Sequence, residues 1–376
     1  MARAYDLTVG NETKALLRLA LPMIAGNLIQ QLYNVTDTII VGRFIGPHAL
    51  AAVGSSFAVM VLLNSIILGF CMGSGTVFSI FYGAKEIDKL KNSFFVSFCL
   101  VGALSVVINF FALFFINEIL MFLRIPLEIW GETKLYLQII FYGITFTSAY
   151  NYFAALLRSL GNSVVPLIFL AMSTIINIVL DIVFIVPWKM GVGGAAYATI
   201  IAQGVSAVAL AVYCLKKVPI MRLKRKHFKF DLNIVKMIGN HSILTSMQQS
   251  VMNFGILMIQ GLVNSFGVAV MAAFAAVVKI ESFAYLPEQE LGNAFSIFIA
   301  QNFGAKERGR IQEGIRAAVK IITIYGVAAS VLIILFAKPL LSIFISVHER
   351  EILQIGIQYL YIVAGFYCLI GYLFMF

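Results

Sequence analysis

Two aspartates, an asparagine, a threonine and a tyrosine stand near the same end of four apolar stretches: Asp37, Asp181, Asn177, Thr199 and Tyr136. Asp37 lies about four residues from the outer end of the first stretch, and Asp181 about five from the outer end of the fifth, at 1.5 Å per helical residue. Asn177 is one turn deeper than Asp181 on the same face. Thr199 sits about four residues into the sixth stretch and Tyr136 about four into the fourth, so all five groups share a layer about 10 Å deep. A carboxylate at mid-membrane depth costs about 2.5–3.5 kcal/mol, and acids kept there usually mark a pathway. Two carboxylates, an amide, a hydroxyl and a phenol at one level can coordinate a hard cation such as Na⁺ through oxygen. They can equally hold a proton between two acids. A hydrogen-bonded polar cluster that only ties helices together is the alternative these residues leave open.

A second set of candidates reads Lys279-Ile-Glu281 and then Pro287-Glu288-Gln-Glu290. Lys279 and Glu281 do not face each other on a helix, but each can pair across a bundle. Glu290 follows Pro287, where a bent helix exposes backbone and opens a cavity. An internal salt bridge and a substrate-binding or ion-binding acid are both consistent with this pattern.

The elements that must position these groups follow from composition. Of 376 residues, 61% are apolar and 12% are charged, with a mean hydropathy of +0.95. A soluble domain is about 45–50% apolar and about 25% charged, so lipid is the solvent here. Ten apolar segments are long enough to span: 15–41, 49–83, 92–116, 132–157, 163–186, 195–215, 239–263, 269–302, 314–336 and 350–376. The fold class is all-α, a polytopic membrane helix bundle. The second and eighth segments are too long for one straight span. Gly69, Gly73, Gly75 and Pro287 are natural places for a bend or a cytoplasmic extension. With the N-terminus inside, most Lys and Arg fall in cytoplasmic loops, and the outer loops keep Arg43, Arg124, Lys134, Lys189, Lys338 and Arg350. The positive-inside rule therefore predicts a multi-pass protein of the cell (plasma or inner) membrane with a cytoplasmic N-terminus.

The sequence also repeats. Shifted by 221 residues, Gly46 falls on Gly267, Ala51-Ala52 on Ala272-Ala273, and Gly83-Ala84-Lys85-Glu86 on Gly304-Ala305-Lys306-Glu307. This divides the chain into an N-terminal lobe of six helices (1–215), a basic cytoplasmic loop (216–238) and a lobe of four helices (239–376). Two lobes of like topology are typical of alternating-access transporters. The basic loop, with Lys216, Lys217, Arg222, Lys224, Arg225, Lys226 and Lys229, reads as an anchor on anionic headgroups rather than a nucleic-acid patch.

Other chemistries find little support. Gly191-Val-Gly193-Gly194-Ala-Ala196 fits a dinucleotide fingerprint but lies between two apolar helices, where it reads as a tight outer turn. There is no P-loop and no hydrolytic constellation, so the chain is expected to be no enzyme and to carry no cofactor. The four histidines (His48, His227, His241, His348) show no zinc spacing. The four cysteines (Cys71, Cys99, Cys214, Cys368) lie in apolar segments as packing residues.

Several spaced motifs resemble the MATE (multidrug and toxic compound extrusion) family of efflux transporters. These are Leu21-Pro22-Met23, Gln30-Gln31-Leu-Tyr-Asn34-Val-Thr-Asp37, Asn177-Ile-Val-Leu-Asp181, Gly191 to Thr199, Gly292-Asn-Ala-Phe-Ser296 and Gln301-Asn302-Phe-Gly304-Ala305. The resemblance implies twelve helices in two six-helix lobes, and Na⁺- or H⁺-driven export of amphipathic, cationic small molecules by a monomer. It maps Asp37, Asn177, Asp181, Thr199 and Tyr136 onto the family's N-lobe cation or proton site. Where some branches carry an acid in the seventh helix this chain has Gln249, leaving Glu290, Glu281 and Lys279 as the other candidates of the second lobe. Against twelve helices, the second lobe is an incomplete four of six, and the chain reads as C-terminally truncated. A lipid-linked oligosaccharide flippase of the same superfamily is the first alternative, disfavoured by few buried cations. A non-transporting scaffold or membrane-embedded enzyme is the second.

Overall fold

The computed structural model describes residues 5–345 and 349–375; His348 and Phe376 lie outside them. Its elements are helices, in order α1 (Glu12–Phe44), α2 (Pro47–Gly83), α3 (Ile87–Phe114), α4 (Ile116–Phe122), α5 (Leu127–Ser159), α6 (Val164–Ile185), α7 (Gly191–Lys217), α8 (Leu232–Asn264), α9 (Val268–Gly304), α10 (Arg308–Leu341), α11 (Arg350–Ala364) and α12 (Tyr367–Met375). Many of these segments are rich in Val, Ile and Phe, residues of modest helix propensity. In lipid the helix is enforced because each backbone N–H and C=O must find its partner within the segment.

The described residues of each of the ten predicted segments lie mainly in helix. By length and composition, α1, α2, α3, α6, α7, α9 and α10 can each cross a membrane, and the pair α11 and α12 adds an eighth. The interiors of α5 and α8 are less apolar, with Gln138, Thr147 and Asn151 in one and Gln248, Gln249 and Asn253 in the other. The last predicted segment is not one helix: α11 and α12 meet at 50°. At the break Phe366 N–H bonds the Val363 carbonyl, a tighter turn than the α-helix, and the Ala364 carbonyl instead accepts from Ser330 Oγ of α10.

Neither long helix breaks at its predicted bend position, and close packing is found there. Helix α2 runs unbroken through Gly69 and Gly73, which lie against the first half of α8. A Cβ on either would fall 2.4 Å from the Cα of Ser246 or Ser242. Ser242 Oγ and Ser246 Oγ donate to the Phe70 and Ile66 carbonyls at 3.1 Å. Small residues four apart on both helices permit this approach. Helix α9 likewise runs through Pro287. Proline removes one N–H and frees the carbonyl of Phe283. The Tyr325 hydroxyl of α10 reaches that carbonyl at 3.5 Å.

The predicted glycine turn at 191–196 is corrected too. Residues 191–196 form the first turns of α7, with Val192 to Ala196 buried. The chain reverses just before them, where Lys189 has φ 49°. The glycines let the start of α7 press on α5 and α6: Cβ atoms on Gly193 and Gly194 would lie 3.5 Å from Leu135 and 3.1 Å from Phe184.

The internal repeat is visible in the backbone. Helices α2 and α9 are both 37 residues long and follow Gly46 and Gly267, at φ 120° and 93°. Both end in the same turn. Lys85 and Lys306 take φ 58° and 62°, while the next amides, Glu86 N–H and Glu307 N–H, reach back to the Phe81 and Asn302 carbonyls. This is the Schellman arrangement, with lysine where glycine is usual; the cation complements the negative helix end.

Two compact units divide the chain, Ala25–Ser250 with Tyr5 in one, and Asp6–Ile24 with the described part of Val251–Phe376 in the other. The first unit packs α5 against α2 and α7, with Phe78, Phe94 and Tyr152 edge to face in its core. Its linker between α7 and α8 is pinned to α3: Asn92 Nδ2 donates to the carbonyls of His227 and Lys229, and Asp88 meets Lys226 Nζ at 2.6 Å and His227 Nε2 at 3.0 Å. In the second unit the N-terminal segment is clamped. Leu7 N–H donates to Gln301 Oε1, and Arg310 binds the Leu7 and Gly10 carbonyls and Glu12. Large exposed apolar side chains such as Phe110, Phe114 and Phe122 suit a lipid boundary.

Candidate functional site

The five predicted residues of the acid layer come from α1, α5, α6 and α7 and all lie in the first unit. Each is buried: Asp37 is 8% exposed, Asn177 2%, Asp181 0%, Thr199 5% and Tyr136 4%. The carboxyls of Asp37 and Asp181 lie within electrostatic reach of each other. Thr199 Oγ1 joins two helices to this pair, accepting from Asn177 Nδ2 at 3.3 Å and meeting Tyr33 Oη at 3.2 Å. Tyr136 lies within electrostatic reach of both acids. An apolar cluster of Ile40, Val41, Ala49, Ile139, Ile140, Ile185 and Val192 encloses Tyr136 and walls this end of the four helices.

The chemistry of the site lies in what its oxygens lack. Asp37 Oδ1, both carboxylate oxygens of Asp181 and Asn177 Oδ1 are buried with no protein donor. Buried acceptors without a partner are costly, and a charge without one is costlier. An acceptor-only set of this kind is complementary to a bare cation or a proton. The donor set, carboxylate, amide and hydroxyl oxygens, fits Na⁺ on hard-ligand grounds, and two acids in reach of one another fit a shared proton.

Tyr33 belongs to this site although its type alone did not single it out. It lies one helical turn before Asp37, and that i, i+4 spacing is the signal that finds it. Beside Thr199 a small pocket of about 30 Å³ is lined by Met60, Asn64, Phe141, Thr147, Ile200 and Gln203, among others, with Thr147 hydrogen-bonded to Gln203. It has room for a water molecule. Asn64, Thr147 and Gln203 lie on α2, α5 and α7, and only packing brings them together. A larger groove of about 550 Å³, lined by Phe110, Leu113 and Phe114, lies on the outer faces of α3 and α5.

The second set of candidates is dispersed. Glu290 is buried at 9% exposure, Glu281 is half-buried and Lys279 is exposed. Gln249 belongs to the first unit, where its amide points at Met72 Sδ, 3.9 Å away. Glu288, beside them in sequence, is the most buried acid of α9, at 1% exposure.

Among the described residues, seven or eight membrane-length helices and no other regular element than helix define a polytopic membrane protein. A family model described as MatE matches residues 22–183 and 242–376, and the chain belongs to that family. It is 32% identical over 373 residues to the probable multidrug resistance protein YpnP of Bacillus subtilis (strain 168), covering 98% of this chain and 82% of that protein. It is 30% identical over 357 residues to the probable multidrug resistance protein YoeA of the same strain, covering 93% and 77%. A solved outward-facing structure of a multidrug resistance MATE family transporter of the MOP superfamily superposes with a TM-score of 0.92 at 24% identity, covering 99% of this chain and 83% of that one. A mutant of the Vibrio cholerae MATE transporter VcmN gives 0.91 at 22%, covering 97% and 82%. These two likenesses establish the fold.

Proposed function

We propose that this protein is a secondary antiporter that exports amphipathic, cationic small molecules in exchange for Na⁺ or H⁺. It acts by alternating access between two pseudo-repeated lobes, carries out no covalent chemistry and needs no cofactor. The observation that carries the reading is the Asp37/Asp181 pair, with its unpartnered oxygens backed by Asn177, Thr199 and Tyr136. Binding a cation or proton there relieves the cost of buried acceptors, so occupancy favours whichever conformation keeps the site closed. Coupling follows when the exported compound prefers the other conformation. The names of the relatives, multidrug resistance proteins, support the substrate class. The abundance of Lys and Arg in the loops assigned to the inside supports a cytoplasmic N-terminus in the plasma membrane. A monomer suffices for this cycle.

Vesicles carrying the full chain, loaded with a fluorescent organic cation and given an imposed Na⁺ or pH gradient, test the proposal and name the coupling ion. Asp37→Asn or Asp181→Asn is expected to abolish gradient-driven movement of the dye. Undiminished movement in both variants would overturn the assignment.

A further inference from the structure

The basic linker between α7 and α8 has a fixed shape. It makes two short turns, Pro219–Met221 and Arg225–His227, and buries Met221 and His227 at 6% and 2% exposure. His227 braces the second turn: its Nδ1 accepts the Lys224 N–H at 2.9 Å, while its Nε2 meets Asp88 of α3. Lys91 Nζ donates to the Arg222 carbonyl at 2.9 Å, and Asn92 Nδ2 to the His227 and Lys229 carbonyls at 2.8 and 2.7 Å. Phe95 takes Phe228 and Phe230 edge to face, with ring centroids 5.1 and 5.3 Å away. Asp88, Lys91, Asn92 and Phe95 follow the i, i+3, i+4, i+7 spacing of one helix face, so a single stripe of α3 seats the linker.

We propose that this seated linker is a binding site for anionic phospholipid, with the phosphodiester headgroup on its cations and the acyl chains against Phe228 and Phe230. Lys216, Lys217, Arg222, Lys224, Arg225 and Lys229 are exposed and, among the described residues, make no ion pair. Lys226 is paired, to Asp88, and Asp231 is the one acid between residues 216 and 231. A cation cluster of this density beside a membrane span attracts an anionic leaflet. The two phenylalanines name the occupant. Phe228 and Phe230 flank Lys229, are 53% and 60% exposed, and pack on Phe95 in a helix long and apolar enough to cross a membrane. Exposed apolar rings beside cations are the two faces of an interfacial element. A nucleic-acid backbone would use the cations and leave the apolar edge in water. Charge along the sequence suggests only an anchor; the structure adds an array fixed by α3 and an apolar edge.

The full chain is purified in detergent and titrated with phosphatidylglycerol or phosphatidylcholine, and bound lipid is counted by native mass spectrometry. The expected result is preferential retention of phosphatidylglycerol. The triple variant Lys224→Gln, Arg225→Gln, Lys229→Gln should weaken it at least about tenfold. Lys338→Gln with Arg350→Gln, exposed cations of α10 and α11, should leave it unchanged. Asn92→Ala keeps every cation of the linker but frees two of its carbonyls, and retention should fall several-fold. If Asn92→Ala does not fold, Phe228→Ser with Phe230→Ser decides: it also keeps every charge, and a several-fold fall is expected as the rings leave the acyl region. Equal retention of the two lipids, or parental retention in the triple variant or in the charge-preserving variant, overturns the proposal. So does tighter binding of a single-stranded oligonucleotide than of phosphatidylglycerol, which would assign the cations to nucleic acid.

Discussion

Gly73 of α2 and Ser242 of α8 meet backbone to backbone, so that a Cβ at residue 73 would fall 2.4 Å from the Ser242 Cα and 2.5 Å from its nitrogen. Rotation of a side chain cannot relieve that overlap, because the obstacle is main chain. Gly73→Ala is therefore expected to destabilise the protein by about 1–3 kcal/mol, the usual cost of forcing atoms into a filled contact. Ser242→Ala, which loses only the bond to the Phe70 carbonyl, should cost roughly 0.6 kcal/mol, the average for such bonds in membranes. Unfolding midpoints in detergent check both. A Gly73→Ala chain as stable as the parent would contradict the close contact.

Pro287 and Tyr325 make a second pair whose worth can be measured. Proline frees the Phe283 carbonyl, and Tyr325 Oη is the group that approaches it. Tyr325→Phe should destabilise the parent by about 1 kcal/mol. In a Pro287→Ala background the helix supplies its own N–H at that carbonyl, and the same substitution should cost much less. A double-mutant cycle reads the difference. Equal costs in both backgrounds would show that the tyrosine does not serve the carbonyl.

Tyr33 supports the acid pair through Thr199, which its hydroxyl meets at 3.2 Å. Tyr33→Phe removes that contact and leaves both carboxyls in place. The dye-efflux assay should then show a several-fold higher half-saturating Na⁺ or proton concentration, on the scale of one hydrogen bond, with the maximal rate retained. This differs from the full loss expected for Asp181→Asn. An unchanged half-saturation would remove Tyr33 from the site.

Much of the candidate site was legible because helices in lipid have a fixed rise. Counting residues from the span ends placed Asp37, Asp181, Asn177, Thr199 and Tyr136 in one layer, and the structure gathers those five in one unit. The surroundings of Glu288 were harder to read. Gly371 of α12, which lies against its carboxyl, is more than eighty residues away, and a residue's distance from Pro287 along one helix says nothing about which neighbours cover it. Gln249 illustrates the reverse: a position assigned to the second lobe by resemblance packs on Met72, because α8 runs across the division between the units.

By itself the sequence determined the solvent, the helical class and the repeat. Apolar runs of membrane length admit no other backbone solution in lipid, and the paired Gly-Ala-Lys-Glu ends reappear as matching turns at Lys85 and Lys306. Tertiary structure alone decided where helices break and where they touch. Gly69, Gly73 and Pro287 are locally permissive of a kink, yet α2 and α9 pass through them. The small residues are filled by the backbone of α8, and the freed carbonyl by a tyrosine of α10. The break that does occur, between Ala364 and Tyr367, carries no proline; there the Ser330 hydroxyl on α10 holds the released Ala364 carbonyl. Local sequence sets which deviations are cheap, and the partners available across the interface settle which ones are used.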